Sequence, residues 1–168
     1  MKQTYAFIIA VLIITVIHSC TTVKIASNKA DKYTKKLNKV FVLSQSEAKA
    51  QRITNTFSKK LMNEFKKHGV EGRFDSKNAL SLKTDSEYFN KVKIFNPKQL
   101  MIIKQTAINY RTPTIINAIS FEIQILEYAS NNVIWKGELD VYGQVGIESS
   151  IEKSLRKLIK QLVKDKLL

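Results

Sequence analysis

Residues 118–142, AISFEIQILEYASNNVIWKGELDVY, carry the strongest strand pattern in this chain of 168 residues. Apolar and polar residues alternate on both sides of the asparagine pair at its centre. Alternation over this length predicts two antiparallel strands, with one face of the sheet buried and the other in water. Trp135 shares the alternation of Leu139 and Val141, so we expect its indole ring to be a core anchor rather than a ligand platform.

The register of this hairpin can be predicted from which residues would face each other. A two-residue turn on the asparagine pair would place apolar residues of one strand opposite acids of the other. An odd loop or a bulge instead places Ile125 opposite Leu139 and Ile123 opposite Val141. We therefore predict an odd loop or a bulge.

Upstream of the hairpin, the pattern predicts a strand, a long helix and a second strand. Residues 39–44 are short, β-branched and aromatic, and Ser44 and Glu47 have the spacing of a capping box. An amphipathic helix then spans residues 46–68, and extended structure resumes at residues 70–74. A unit of this length favours parallel pairing through a right-handed crossover.

The rest of the chain adds shorter elements and a closing helix. A short helix is predicted from residue 85, before Pro97, and a strand over residues 100–110. Ser149 and Glu152 repeat the capping-box spacing at the start of a basic amphipathic helix. We therefore predict one α/β (α+β) domain over residues 39–168. It has a single mixed sheet of about five strands, with two long amphipathic helices packed against it.

The amino terminus has the pattern of an export signal. Lys2 precedes an apolar run at residues 6–17, and these twelve residues fall short of the roughly 20 that a membrane-spanning helix needs. The run ends in Ile17-His18-Ser19-Cys20, which resembles the lipobox of bacterial lipoproteins. The resemblance implies a signal peptide at residues 1–19, diacylglycerol on the Cys20 sulfur, and acylation, typically by palmitate, of the freed amine. An ordinary buried thiol stays as the alternative for Cys20.

Residues 20–38 read as a flexible basic tether between the lipid and the domain. Lys32, Lys35 and Lys36 are the candidate residues for binding an anionic surface, and close to a bilayer each would contribute about 1 kcal/mol of attraction to anionic lipid. A passive linker is the alternative.

The charge of the chain raises the question of its partner. Lys and Arg number 28 against 14 Asp and Glu, a net charge of +14, which in a cytosolic protein would suggest nucleic acid. An exported protein meets envelope anions instead, so we expect an envelope protein, an anionic glycolipid or peptidoglycan, and no nucleic acid. Only four of the 28 are arginines, the residue that grips phosphate or carboxylate with two donors. A lysine-rich surface that reflects composition alone therefore stays open.

Residues for catalysis or metal binding are scarce in this sequence. After processing, His68 is the one histidine and no thiol is free, so we expect no cofactor and no metal site. The acids are densest along the hairpin, where cross-strand ion pairs account for them: Glu122, Glu127, Glu138 and Asp140. We expect a non-catalytic binding or assembly module, with an envelope hydrolase using an unrecognised carboxylate site as the alternative.

The order of elements and the aromatic segment at residues 133–137, Val-Ile-Trp-Lys-Gly, resemble two kinds of envelope protein. These are the penicillin-binding-protein activator lipoproteins and the amino-terminal domain of the Tol translocation protein. The resemblance implies a non-catalytic domain that docks on envelope partners from a lipid anchor, which we expect in the outer membrane facing the periplasm. A ring-forming export lipoprotein would need a long alternating membrane hairpin. The polar face of residues 118–142 favours a soluble sheet over that alternative.

Overall fold

The computed structural model describes residues 22–78, 80, 82–143 and 147–168. Six strands form one mixed sheet in the order β1-β6-β5-β4-β2-β3, in which β2 pairs in parallel with both β3 and β4 and the other pairs are antiparallel. Three α-helices pack on the sheet, none of them long and apolar enough to cross a membrane within the described residues. The elements are β1 (Thr22–Lys29), β2 (Lys39–Ser46), α1 (Gln51–Lys67), β3 (Glu71–Asn78), α2 (Asp85–Phe95), β4 (Gln99–Thr112), β5 (Ile115–Glu127), β6 (Val133–Tyr142) and α3 (Ile151–Lys164).

The main core lies between one face of the sheet and the helices α1 and α3. The predicted apolar stripes of both helices are buried there, and the ring of Phe57 on α1 stacks on Phe121 of β5 with centroids 5.8 Å apart. Trp135 is 1% exposed, and its Nε1 donates a hydrogen bond of 2.7 Å to Asp165. The prediction that Trp135 is buried in the core is confirmed.

The short helix α2 covers only part of the opposite face. Its buried residues Val92 and Phe95 pack on Phe41 of β2 in a second, smaller core. The capping box of this helix, formed by Thr84 and Glu87, was not anticipated from the sequence. The β1-β6-β5 side of this face carries the polar residues of the hairpin, so the prediction that this hairpin is covered on one side only is confirmed.

The parity of the β5–β6 register is confirmed, but the individual pairs are wrong. Ile125 lies opposite Trp135, and Leu139 lies opposite Phe121. Five residues separate the two strands and a bulge follows Ile125. Apolar residues therefore still face apolar residues, but each observed partner lies four positions from the predicted one. The reason is that the hairpin is centred on Ser130 rather than on Asn132.

The flexible tether predicted over residues 20–38 is wrong for the part that the structure describes. Thr22–Lys29 forms β1, a strand in addition to the five or so that were predicted, and it pairs along its whole length with β6. Val23, Tyr33 and Leu37 are buried, and the backbone of Leu37 donates to the carbonyl of Leu167 at 2.8 Å. Lysines between the apolar positions gave this segment the composition of a linker, whereas the hydrogen bonds that make it a strand come from β6.

Both predicted helix caps are also corrected. Ser44 lies within β2, where its Oγ donates to the backbone oxygen of Asp75, and α1 begins after a short 3-10 turn at Ala48–Ala50. The cap of α3 is Ser150, without a side-chain capping hydrogen bond. The signal peptide at residues 1–19 and the lipidation of Cys20 lie outside the described residues.

Candidate functional site: a lysine-lined cavity

The two ends of the strands differ, and we name them by one residue each. At the Lys39 end, β2 and β4 begin while β1 and β5 end. At the Thr22 end, β1 begins beside the last residue of β6. Eight residues of β1 at about 3.3 Å per residue place the two ends about 23 Å apart.

A cavity of about 630 Å³ opens at the Lys39 end. Three segments that are distant in sequence enclose it: the stretch before β2, the turn between α2 and β4, and the loop after β5. Its lining residues are Lys35, Lys36, Asn38, Asn96, Pro97, Lys98, Gln99, Glu127, Tyr128 and Ala129.

Local backbone geometry holds these segments together. Asn96 adopts a left-handed conformation, φ 48°, which ends α2 and turns the chain into Pro97. Gln99 is buried, donates to the hydroxyl of Tyr33 at 3.2 Å and accepts from the backbone of Asn38 at 3.4 Å. The amide of Gln99 therefore ties the stretch before β2 to the first residue of β4.

The lining carries more positive than negative charge. Lys35 forms an ion pair of 2.7 Å with Glu127. Hydrogen bonding from Lys35 and then Ser130 lowers the pKa of the Glu127 carboxyl, and the same ion pair raises the pKa of Lys35. Lys36 donates to the backbone oxygen of Leu168 at 3.2 Å.

Lys98 completes the set of cavity lysines. Its side chain is exposed and forms no ion pair with any of the described residues. Three ammonium groups and one carboxylate thus surround the cavity, together with the polar side chains of Asn38, Asn96 and Tyr128. Cationic and amide donors in this arrangement suit a phosphate or carboxylate group.

The structure separates the three lysines that the sequence grouped as candidates. Lys35 and Lys36 line the cavity, whereas Lys32 is exposed outside it. Lys98 was missed, because it lies 62 positions from Lys36 in a turn with no pattern of its own, and only the sheet brings the two together. All of these lysines lie at the Lys39 end, about 23 Å from the Thr22 end. This distance is nearly three Debye lengths, each about 8 Å at physiological ionic strength. The attraction of Lys32, Lys35 and Lys36 to an anionic surface stays a prediction.

Three of the four acids considered for a hydrolase, Glu122, Glu127 and Asp140, have other partners. Glu122 bonds to Lys136 at 3.0 Å and to Gln124, and the hydrogen bond from Gln124 followed by that from Lys136 lowers the pKa of its carboxyl. A general acid for glycosidic cleavage requires the opposite shift. Asp140 accepts from Ser120 at 2.6 Å. These contacts match the cross-strand polar pairs expected of a solvated sheet face.

The chain matches no protein-family model and no curated protein sequence. Solved structures do resemble it. PelC from Paraburkholderia phytofirmans, solved as a dodecamer, has a TM-score of 0.57 at 11% identity over 82% of this chain and 95% of that chain. A variant of PelC in a second crystal form, also a dodecamer, has a TM-score of 0.55 at 12% identity. The match covers 83% of this chain and 96% of that chain. Lipoprotein GNA1162 from Neisseria meningitidis has a TM-score of 0.45 at 10% identity, and the match covers 76% of this chain and 96% of that chain. At these identities the likeness is one of fold, and the mixed sheet with its helices is an arrangement that this chain shares with PelC.

Proposed function

We propose that this chain is a cell-envelope lipoprotein, anchored through Cys20 in the outer membrane and facing the periplasm, whose domain is a non-catalytic binding module. The observation that carries the proposal is the cavity at the Lys39 end, with three lysines and one glutamate in its lining. The ligand we propose is the phosphate or carboxylate of an envelope polymer, an anionic glycolipid or peptidoglycan.

The position of the cavity supports a partner away from the anchoring bilayer. The cavity and Thr22 lie at opposite ends of the strands, so a domain held at Thr22 would present Lys98 toward the space beyond the membrane. Lysine heads are hydrated point charges on flexible stems, so we expect tolerance for varied anionic groups rather than selection of one geometry.

The test uses charge reversal at matched positions. Lys98→Glu and Lys36→Glu alter cavity lysines, and Lys32→Glu makes the same charge change on an exposed residue outside the cavity. Soluble peptidoglycan fragments and lipopolysaccharide are the probes, titrated calorimetrically against the mature lipidated chain in detergent. A lysine hydrogen-bonded to an ionised group contributes about 1.5 to 3 kcal/mol, so each cavity variant should bind at least about tenfold more weakly.

The Lys32→Glu control should bind within about fivefold of the wild-type chain, since one exposed charge contributes under 1 kcal/mol. Equal weakening in all three variants would instead indicate a diffuse field of lysines. No binding of either probe by the wild-type chain at low salt would refute the cavity as an anion site and leave the lysines as a feature of composition.

A second candidate function is self-assembly, favoured by the PelC structures. PelC was solved as a dodecamer and shares its fold with this chain. The sheet described here has two edge strands, β1 and β3, each paired on one side only among the described residues. We propose that copies of this chain associate into a closed oligomer, whether at these edges or through other faces. Native mass spectrometry of the detergent-solubilised chain gives the mass directly, and a monomer at tens of micromolar would contradict this candidate.

A further inference from the structure

The Thr22 end of the domain carries a small group of exposed apolar side chains. Tyr110 on β4, Ile115 on β5 and Tyr142 on β6 are 37%, 39% and 43% exposed. They come from three adjacent strands, and Tyr142 lies directly opposite Thr22 in the sheet. We call these three residues the apolar tip.

The β4–β5 hairpin extends past the start of β1. Thr22 is level with Tyr142 and Ala118. Strand β5 begins at Ile115, three residues before Ala118. At about 3.4 Å per residue the hairpin projects about 10 Å beyond Thr22, in the direction from which the chain enters β1. Exposed side chains occupy its end, from Asn109 to Ile115.

The short sequence distance between Cys20 and Thr22 limits how far the proposed lipid can lie from this end. Cys20 precedes Thr22 by two residues, and two residues span at most about 7 Å. The lipid chains on Cys20 would therefore leave the protein within about 7 Å of Thr22, a shorter distance than the projection of the hairpin. A bilayer that holds those chains must come into contact with the hairpin end if the strands stand upright.

The chemistry of the tip fits the headgroup layer of a membrane. Tyrosine has an apolar ring and a polar hydroxyl, and it is enriched at the membrane–water interface. Lys49 lies 5.5 Å from the centre of the Tyr110 ring, which places a cation beside the apolar surface, where anionic phospholipid phosphates would be. Lys24 on β1 is exposed at the same end.

We propose that the Thr22 end docks on the anchoring bilayer, with Tyr110, Ile115 and Tyr142 in the headgroup layer and Lys49 facing lipid phosphates. The inference rests on the proposed anchor at Cys20 and adds an orientation to it. The strands stand upright on the membrane and the lysine-lined cavity faces away from it.

Depth-dependent quenching in liposomes tests this orientation. The lipidated full chain is reconstituted in vesicles of phosphatidylethanolamine and phosphatidylglycerol that contain a spin-labelled lipid. A fluorophore is attached at Thr114→Cys, in the turn at the hairpin end, or at Ser130→Cys, in the loop at the Lys39 end. Acylation and the thioether leave no thiol on Cys20 for the fluorophore. We expect the label at position 114 to be quenched at least about threefold more than the label at position 130.

The double variant Tyr110→Ser with Ile115→Ser should reduce quenching at position 114 at least twofold while the chain still floats with the vesicles. Unchanged Trp135 fluorescence would show that this variant is folded. Equal quenching at both positions, or stronger quenching at position 130, would overturn the docking orientation but not the anchor. If the wild-type chain fails to float with vesicles, the anchor itself is refuted and the docking with it.

Discussion

Gly137→Ala should destabilise the domain, although alanine is intrinsically more favourable than glycine within a strand. Gly137 lies in β6, two residues from Trp135, whose six-membered ring lies across its Cα. A Cβ added at this glycine would overlap Cη2 of the indole and lie 2.9 Å from Cζ3. Contacts below 3 Å are not tolerated, so the ring or the strand must move.

The indole has little freedom to move away. It is 1% exposed, and its Nε1 donates to Asp165, which also accepts from Ser27 at 3.0 Å. Overpacking a core typically costs about 1 to 3 kcal/mol, and weakening a hydrogen bond to a charged group adds a part of its 1.5 to 3 kcal/mol. Replacing glycine by alanine within a strand by itself stabilises the folded state by about 0.5 to 1 kcal/mol. We therefore expect the free energy of unfolding to fall by about 2 to 4 kcal/mol.

Gly72→Ala is the matched control, because it makes the same chemical change in another strand of the sheet. Its Cβ would lie 2.8 Å from Sδ of Met62, the flexible part of a side chain that adapts readily. We expect a change within about 0.5 kcal/mol. Urea denaturation followed by the fluorescence of Trp135, the only tryptophan of the chain, measures both variants, with circular dichroism as a second probe.

A double-mutant cycle locates the effect. Trp135→Phe removes the part of the ring nearest Gly137, so in that background Gly137→Ala should cost less than about 1 kcal/mol. A Gly137→Ala protein as stable as the wild-type chain would refute the packing argument. An undiminished cost in the Trp135→Phe background would also refute it, since the strain would then lie in the backbone and not against the indole.

Three further predictions concern the carboxyl-terminal helix, the anchor and the first strand. Burial raises the pKa of Asp165, but hydrogen bonds from Trp135, Gln161 and Ser27 outweigh it and lower the pKa overall. The stability from this carboxylate is therefore present above its unfolded pKa of about 3.9 and is lost as pH falls through the lower folded pKa. Asp165→Asn should cost about 1 to 2 kcal/mol at pH 7 in urea titrations, and a difference that persists undiminished at pH 2 would contradict the assignment. Cys20→Ala should leave unprocessed precursor, whereas mass spectrometry that finds an unmodified Cys20 thiol in mature protein would refute the anchor. A fragment of residues 39–168 should aggregate, because it leaves the edge of β6 unpaired, while residues 21–168 should unfold cooperatively; equal cooperativity of the two would show that β1 is dispensable.

Periodicity alone predicted the parts of this fold that depend on neighbouring residues. Ile53, Phe57, Leu61 and Phe65 recur at helical spacing on α1 and are buried, and the alternation of β5 and β6 predicted which face of each strand is apolar. The parallel pairing of β2 with β3 followed from the length of the crossover. These features have local signals because a helix and a strand bury their apolar residues at fixed spacings.

Tertiary contacts decided the features that involve distant parts of the chain. Thr22–Lys29 became a strand because β6 offers it an edge, and no property of its own composition required this. The cavity joins Lys35 and Lys36 to Lys98 only because β2 and β4 are neighbours in the sheet. Gly137 is required by a ring that lies over it. Backbone hydrogen bonding to a partner strand, and the position of a charge relative to other segments, depend on which surfaces meet in the folded chain, and a pattern read along the sequence does not contain that information.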